Sequence, residues 1–215
     1  MKSFLFIILW FSVLQVTTLH AQKGTKSDKI LNKLSKKIKG LKSFYVEYTA
    51  SIKNDDLGQK DSFTGKGWVK NNKYFASYGE NTLISNGLKT WSIVSKDKEV
   101  YESNNSDDED AINPKKLMTL WEKGFKNKYV KSELLGNELV DVIDLYPKVP
   151  EKSNYSSIVV YISSSAIQMK KAIMKSNDGT VMAYTLTKFT SNPDIKDTKF
   201  SFDKKNYPGY KIIKN

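Results

Sequence analysis

Residues 44–52 read FYVEYTASI, so an apolar or aromatic residue recurs at every second position from Phe44 to Ile52. This period of two is typical of a β-strand that buries one face. Comparable runs continue along the chain, the last of them at residues 197–203, where Phe200 and Phe202 flank a serine. The sequence therefore predicts a mainly β protein with about eleven strands.

Turn signals between these runs indicate how the strands are connected. Asn86-Gly87 and Asn177-Asp178-Gly179 each separate two apolar runs. Both favour tight hairpins, because these residue types adopt positive φ readily. The sequence contains no internal repeat and no proline- or glycine-rich linker. We therefore expect a single antiparallel sheet within one domain.

Two segments have the spacing of helices instead. Between Ser27, the expected N-cap, and Leu41, the apolar residues fall on one stripe; they are Ile30, Leu31, Leu34, Ile38 and Leu41. A second, short helix is predicted at residues 113–123, opening at Asn113-Pro114 and carrying a broad apolar face. The acidic stretch 104–110 before it lacks the spacing of a calcium loop, which favours a solvated loop.

The beginning of the chain has the parts of a secretory signal peptide. A basic start at Lys2 precedes an apolar run from Phe4 to Val16, and Ala21 stands before a polar boundary. We expect cleavage after residue 21, leaving one domain over residues 22–215 in the periplasm. The alternative is a retained N-terminal anchor, although the apolar run is shorter than the ~20 residues that span a bilayer.

The composition excludes several classes of function. The sequence has no cysteine, and its one histidine, His20, lies in the expected signal peptide. Histidine-dependent triads, thiol nucleophiles and most zinc sites are thereby removed, so we expect no catalytic residue, metal or cofactor. The formal net charge is +12 and the basic residues are all lysine. Without arginine a nucleic-acid reader is disfavoured, and the lysines indicate a solvated surface or attraction to anionic membranes.

A set of short motifs, taken in order, resembles the LolA family of periplasmic outer-membrane lipoprotein carriers. The motifs are Lys42-Ser43-Phe44, Gly65-Lys66-Gly67-Trp68-Val69-Lys70, Leu83-Ile84-Ser85-Asn86-Gly87 with Trp91, Asn113-Pro114, Tyr184-Thr185-Leu186-Thr187 with Asn192, Phe200-Ser201-Phe202 and Tyr207-Pro208-Gly209. The resemblance covers the mature chain. It implies a single curved sheet forming an incomplete, or half, β-barrel, with short helices as a lid over an apolar cavity.

The same resemblance implies the task and the partners. It indicates a monomeric chaperone that shields the acyl chains of lipoproteins and carries them between membranes. An ATP-driven inner-membrane transporter would release the lipoproteins, and an outer-membrane acceptor would receive them. Other interpretations are a LolA-like carrier of another amphiphilic lipid, an envelope-stress sensor or structural protein on the same half-barrel, and, last, a hydrolase.

Eleven residues are the candidates for the acyl-chain cavity and its lid: Phe44, Val46, Tyr48, Trp68, Phe75, Leu83, Trp91, Leu117, Leu120, Trp121 and Phe125. Periodicity alone is equally compatible with their packing as an ordinary core. One position departs from the family. Asn71 stands where the family resemblance implies an arginine that latches the lid, and an amide has neither the charge nor the fork geometry of guanidinium.

Overall fold

A computed structural model describes residues 24–104 and 118–214. Its elements are one helix, α1 (Lys26–Gly40), and twelve strands: β1 (Ser43–Asn54), β2 (Gln59–Lys70), β3 (Lys73–Tyr78), β4 (Asn81–Ser85), β5 (Lys89–Val94), β6 (Glu99–Asn104), β7 (Phe125–Leu135), β8 (Glu138–Pro147), β9 (Tyr155–Ser163), β10 (Gln168–Ser176), β11 (Val181–Ser191) and β12 (Lys211–Lys214). Short 3-10 turns lie at Leu120–Glu122, Pro150–Lys152, Asp197–Phe200 and Lys204–Asn206.

All twelve strands belong to one curved sheet that does not close into a barrel. Their order is β12-β6-β5-β4-β3-β2-β1-β11-β10-β9-β8-β7, so β12 and β7 form the two edges. Consecutive strands pair as antiparallel neighbours within β1–β6 and within β7–β11, and β1 joins these two halves by pairing with β11. The expectation of an incomplete half-barrel with a helical cover is confirmed.

The end of the chain differs from the sequence prediction. Residues 197–203 do not form a strand, because Asp197–Phe200 is a 3-10 turn in which Phe200 is fully buried. Phe200 is buried and Phe202 stacks, half-buried, on Trp91, so both rings pack without a hydrogen-bonded ladder. The last strand is β12, which pairs in parallel with β6, so the sheet is not wholly antiparallel.

The helix begins two residues earlier than the N-cap prediction. Thr25, and not Ser27, is the cap: its hydroxyl accepts from the backbone N–H of Asp28 at 3.1 Å, and the Asp28 carboxylate accepts from the Thr25 N–H at 2.8 Å. This reciprocal pair is a capping box. Leu31, Leu34 and Ile38 are fully buried, so the predicted apolar stripe does face the sheet.

Both predicted hairpin turns are present. The β4–β5 connection places Gly87 at φ 92° and the β10–β11 connection places Gly179 at φ 83°, a region that glycine enters without a steric penalty. At Gly87 a side chain is disfavoured by the positive φ and also by lack of space, because a Cβ would lie 2.5 Å from the Asn72 side chain.

The two faces of the sheet are covered by different parts of the chain. The inner face, defined here as the face that carries Phe44 and Val69, packs against α1 in the larger buried cluster. The outer face carries Tyr45, Trp68 and Trp91, and there the C-terminal rings of Phe202 and Tyr207 cover a smaller cluster. Each face therefore needs apolar residues, since neither is left fully to solvent.

Several expectations fall on residues that the structure does not describe. The expected signal peptide, the acidic loop beyond Asn104 and the first part of the predicted helix 113–123 lie outside the described ranges. Of that helix the structure describes the end, where Leu120–Glu122 is a 3-10 turn. Among residues 24–104 and 118–214, no helix has the length and apolar character needed to span a bilayer.

Candidate functional site

The inner face continues as an apolar surface beyond the buried cluster under α1. Five half-buried side chains on β1, β2 and β11 form what we call the apolar strip: Tyr48, Ile52, Phe63, Met182 and Tyr184. The strand register brings them together, because Ile52 pairs with Met182 and Ala50 pairs with both Phe63 and Tyr184. Such a surface offers aromatic and flexible thioether groups, which adapt to apolar ligands.

Two glycines of β2 make room for the strip. Gly65 is the cross-strand partner of Tyr48, and Gly67 is the partner of Val46. A Cβ on Gly65 would lie 2.2 Å from Cζ of Tyr48, so the Tyr48 ring lies over the place that a side chain would occupy. The Gly65-Lys66-Gly67 motif is thereby explained as a close approach between neighbouring strands.

The tyrosines of the strip are uncharged at neutral pH. Burial raises the pKa of Tyr48 to about 12, with smaller contributions from Tyr184 and Tyr78. Its hydroxyl donates to the backbone oxygen of Ser77 at 3.3 Å, which satisfies the polar end of the ring. Burial also raises the pKa of Tyr184. These phenols therefore present ring surface without negative charge.

Polar contacts hold α1 along its length. Near its start, Asn127 donates to Asp28 at 2.9 Å, and the Lys26 ammonium lies 3.5 Å from Asp141. Near its end, Lys37 donates to the backbone oxygen of Ala166 at 2.7 Å. These contacts fix the helix over one end of the inner face.

The described end of the predicted lid also contacts α1. The indole N–H of Trp121 donates to the Ser35 hydroxyl at 2.8 Å, and both residues are buried. Lys39 forms an ion pair with Glu122 at 2.6 Å. A serine on an otherwise apolar helical stripe is the sequence signal that could have revealed this pair, since a buried hydroxyl needs a partner.

Acid should loosen the attachment of α1. Burial alone would raise the pKa of Asp141, but hydrogen bonds from Ser132, Ser164 and Tyr129 together with Lys26 outweigh it and lower the pKa. A carboxyl with a lowered pKa contributes stability above its unfolded pKa of about 3.9, and this is lost as pH falls through the folded pKa. We expect the melting temperature to decrease below about pH 4, as measured by circular dichroism.

The matched variant for this prediction is Asp141→Asn, which keeps the side-chain volume and an acceptor oxygen. Its stability should be lower at neutral pH and should change less between pH 7 and pH 3. Parallel pH profiles for the two proteins would show that Asp141 does not carry the effect.

The structure separates the eleven predicted cavity residues. Seven lie on the inner face or in the cluster that packs against it: Phe44, Val46, Tyr48, Leu83, Leu120, Trp121 and Phe125. Trp68, Phe75 and Trp91 lie on the outer face. There they belong to one row of cross-strand neighbours, which runs in the order Tyr45, Trp68, Phe75, Ile84, Trp91. They do not share a cavity with Phe44. Leu117 lies outside the described residues.

Asn71 occupies the β2–β3 turn at φ 55°, a left-handed conformation that asparagine tolerates. Its backbone N–H donates to the oxygen of Lys42 at 3.1 Å, and its side chain is exposed. In the described chain, the side-chain hydrogen bond to Trp121 and the ion pair to Glu122 come from Ser35 and Lys39 of α1. A latching role for Asn71 stays a prediction.

The family follows from a match over most of the chain. Residues 39–203 match the model of the family described as outer membrane lipoprotein carrier protein LolA. The chain belongs to the LolA family. No curated protein matches it. The LolA match includes β1 to β11, and therefore the whole apolar strip.

Several solved structures align with this LolA-family chain. An uncharacterized conserved protein from Thermus thermophilus aligns with a TM-score of 0.56 at 6% identity, covering 89% of this chain and 100% of that one. Lipoprotein LppX from Mycobacterium tuberculosis aligns at 0.47 with 13% identity, covering 80% and 99%. A LolA superfamily protein from Nitrosomonas europaea aligns at 0.41 with 14% identity, covering 83% and 99%. At 6% identity, the Thermus alignment concerns the fold alone.

Proposed function

We propose that this LolA-family protein is an exported periplasmic carrier, not an enzyme, that shields the acyl chains of lipoproteins on the inner face of its sheet. The observation that supports this best is the apolar strip. Ile52 and Met182 are half-buried neighbours on the face that α1 covers elsewhere, and aromatic rings flank them. Acyl chains placed there would be removed from water on one side by the sheet.

The energetics of such cargo explain why a carrier needs a partner. At ~0.8 kcal/mol for each buried methylene, one long acyl chain holds to a membrane with roughly 12 kcal/mol. Three chains total about 36 kcal/mol, which exceeds the ceiling of about 20 kcal/mol for noncovalent affinity. The carrier therefore receives its cargo from an energy-consuming step. An ATP-driven inner-membrane transporter would provide that step, and an outer-membrane acceptor would take the cargo.

A charge placed in the apolar strip should weaken acyl binding. In Met182→Glu a carboxylate would face the ligand without a partner, so affinity for a fluorescent fatty acid should fall at least about tenfold. Ser51→Glu is the matched control, because Ser51 is an exposed residue of the outer face on the neighbouring strand. It should bind as the parent does. Equal affinities of the two variants would place the acyl site elsewhere.

The identity of the cargo separates the lipoprotein carrier from a carrier of another amphiphile. Protein purified from its native envelope should retain triacylated or diacylated lipopeptides detectable by mass spectrometry. Copurification of a free lipid in their place would favour the second interpretation, in which the same strip holds a different amphiphile.

A further inference from the structure

The side of α1 that faces away from the sheet carries a row of exposed lysines. Lys29, Lys33 and Lys36 are separated by four and then three residues, so they project from one side of the helix. The buried apolar stripe of α1 lies on the opposite side, against the sheet. We call Lys29, Lys33 and Lys36 the lysine line.

The lysine line does not help to attach the helix. The other three lysines of α1 each contact an acceptor on another element: Lys26 contacts Asp141 at 3.5 Å, Lys37 donates to Ala166 at 2.7 Å and Lys39 pairs with Glu122 at 2.6 Å. The lysine line, in contrast, makes no hydrogen bond or ion pair with a residue of the ranges 24–104 and 118–214. Its three charges are therefore open to a partner in solution.

These charges also oppose the helix that carries them. Like charges three or four residues apart repel each other on a helix surface, as Lys29 and Lys33 do, and Lys33 and Lys36. Lys29 lies in the first turn, where the helix dipole favours an anion over a cation. The stability of α1 therefore does not explain the lysine line, whereas an anionic partner would.

Two exposed leucines lie near the beginning of α1, on the same side of the sheet. Leu134 and Leu139 are cross-strand partners next to the β7–β8 turn, and they are 70% and 50% exposed. They lie two residues beyond the pair of Ser132 with Asp141, so the two pairs share one face. This is the inner face, because Asp141 contacts Lys26 of α1. The hairpin therefore presents apolar side chains to solvent beside a basic helix.

We propose that the lysine line and these two leucines dock the protein on the surface of an anionic phospholipid bilayer. The ammonium groups would lie at the negatively charged headgroups, and Leu134 and Leu139 would enter the apolar layer beneath them. An acidic protein surface would match the lysines alone. A bilayer offers negative charge and apolar material side by side, which is the combination that this part of the molecule presents.

The inference rests on the proposed carriage of acyl chains, since a lipid carrier must meet a bilayer to exchange its cargo. The orientation suits that task. Because α1 packs on the inner face, docking through α1 turns this face towards the membrane. The apolar strip lies on the same face, so an acyl chain would pass between strip and bilayer without going round the sheet.

Cosedimentation with lipid vesicles tests the docking, using protein purified from the envelope. Vesicles of phosphatidylcholine with about 30% phosphatidylglycerol should bind it at least about tenfold more tightly than vesicles of phosphatidylcholine alone. Added salt should reduce this difference, because it screens exposed charges.

Neutralising the lysine line should remove most of this preference. In the triple variant Lys29→Gln, Lys33→Gln, Lys36→Gln, the affinity for the anionic vesicles should fall at least about tenfold. The fold should not suffer, because the substitution relieves repulsion on the helix surface. The melting temperature should therefore equal or exceed that of the parent.

The matched control removes three lysines from the outer face, in the triple variant Lys60→Gln, Lys66→Gln, Lys175→Gln. These lysines are exposed, and they form no ion pair with the described residues. The net charge falls by the same amount, but the charges lie on the side of the sheet away from the proposed membrane. The loss of affinity should stay below about threefold.

Leu134→Ser tests the apolar contribution. It should lower the affinity for the anionic vesicles about fivefold, at low and at high salt, because it removes an apolar side chain from the interface. Leu57→Ser is the matched control. Leu57 is 74% exposed in the β1–β2 turn, at the opposite end of the strands from the β7–β8 turn. It should bind as the parent does.

Several results would overturn the docking surface. They are equal binding of the parent to neutral and anionic vesicles, binding to neither, equal losses in the two lysine triples, and equal losses in the two leucine variants. Fatty-acid affinity should be the same in the parent and in the variant without the lysine line. Failure of vesicle binding therefore leaves acyl-chain carriage intact, and Met182→Glu, which tests that carriage, should bind vesicles as the parent does.

Discussion

Replacing Trp121 with alanine should lower the free energy of unfolding by about 3–5 kcal/mol, the range for removing a large aromatic side chain from a core. The indole is 6% exposed and packs in the cluster that includes Leu34 and Ile38 of α1. Its removal leaves a cavity between the helix and the sheet and also removes the hydrogen bond that the buried Ser35 hydroxyl accepts from the indole. Urea unfolding followed by circular dichroism measures the loss.

Trp121→Phe is the control that separates packing from hydrogen bonding. It retains most of the ring surface and removes the donor, so the expected loss is about 1 kcal/mol, as for one unmade hydrogen bond, plus a smaller packing contribution. A loss below about 1 kcal/mol for Trp121→Ala would mean that this turn does not pack on α1. The conclusion that residues 121–122 are attached to the helix would then be wrong.

Gly65→Ala should destabilise the protein by about 1–3 kcal/mol, the usual result of forcing atoms into filled space. A Cβ there would lie 2.2 Å from Cζ of Tyr48 and 2.6 Å from the backbone oxygen of Ser77. The Tyr48 side chain can change rotamer, whereas the backbone of the neighbouring strand cannot move. Tyr48 therefore loses its hydrogen bond to Ser77 and its position in the apolar strip. We therefore expect weaker fatty-acid binding together with the lower stability.

Gly67→Ala provides the comparison two residues further along the same strand. Its Cβ would approach one atom, Cγ2 of Val46, at 3.0 Å, and a small rotation of that valine relieves the contact. The loss of stability should be smaller than for Gly65→Ala. Equal losses of stability for the two substitutions would show that the effect comes from β-propensity and not from the clash with the Tyr48 ring.

The alternation at residues 44–52 predicted the inner face of β1, because its two faces differ in polarity. It could not assign β2 in the same way, since Trp68 and Val69 are both apolar and point to opposite faces. This ambiguity is physical: α1 covers one face and the C-terminal segment covers the other, so both need apolar residues. The candidate cavity therefore included side chains from both sides of the sheet.

Features that depend on partners distant along the chain could not be predicted from the sequence either. The role of Ser35 depends on Trp121, and the coordination of Asp141 depends on three other elements. Strand β12 is four residues long and pairs in parallel with β6, an arrangement that short-range periodicity does not encode. The helix and the hairpins were predictable because their signals are local.

The pairing of β1 with β11 has a consequence for how the protein acquires its fold. Asn192 accepts a hydrogen bond from the backbone N–H of Lys42 at 2.9 Å, between residues 150 positions apart. Closing so large a loop carries an entropic penalty before the contact can stabilise anything, which makes folding slow for topologies of this kind. The central ladder forms only when nearly the whole polypeptide is available. Under the proposed export, this delay would leave the β11-facing edge of β1 unpaired until β11 has also emerged from the translocation channel.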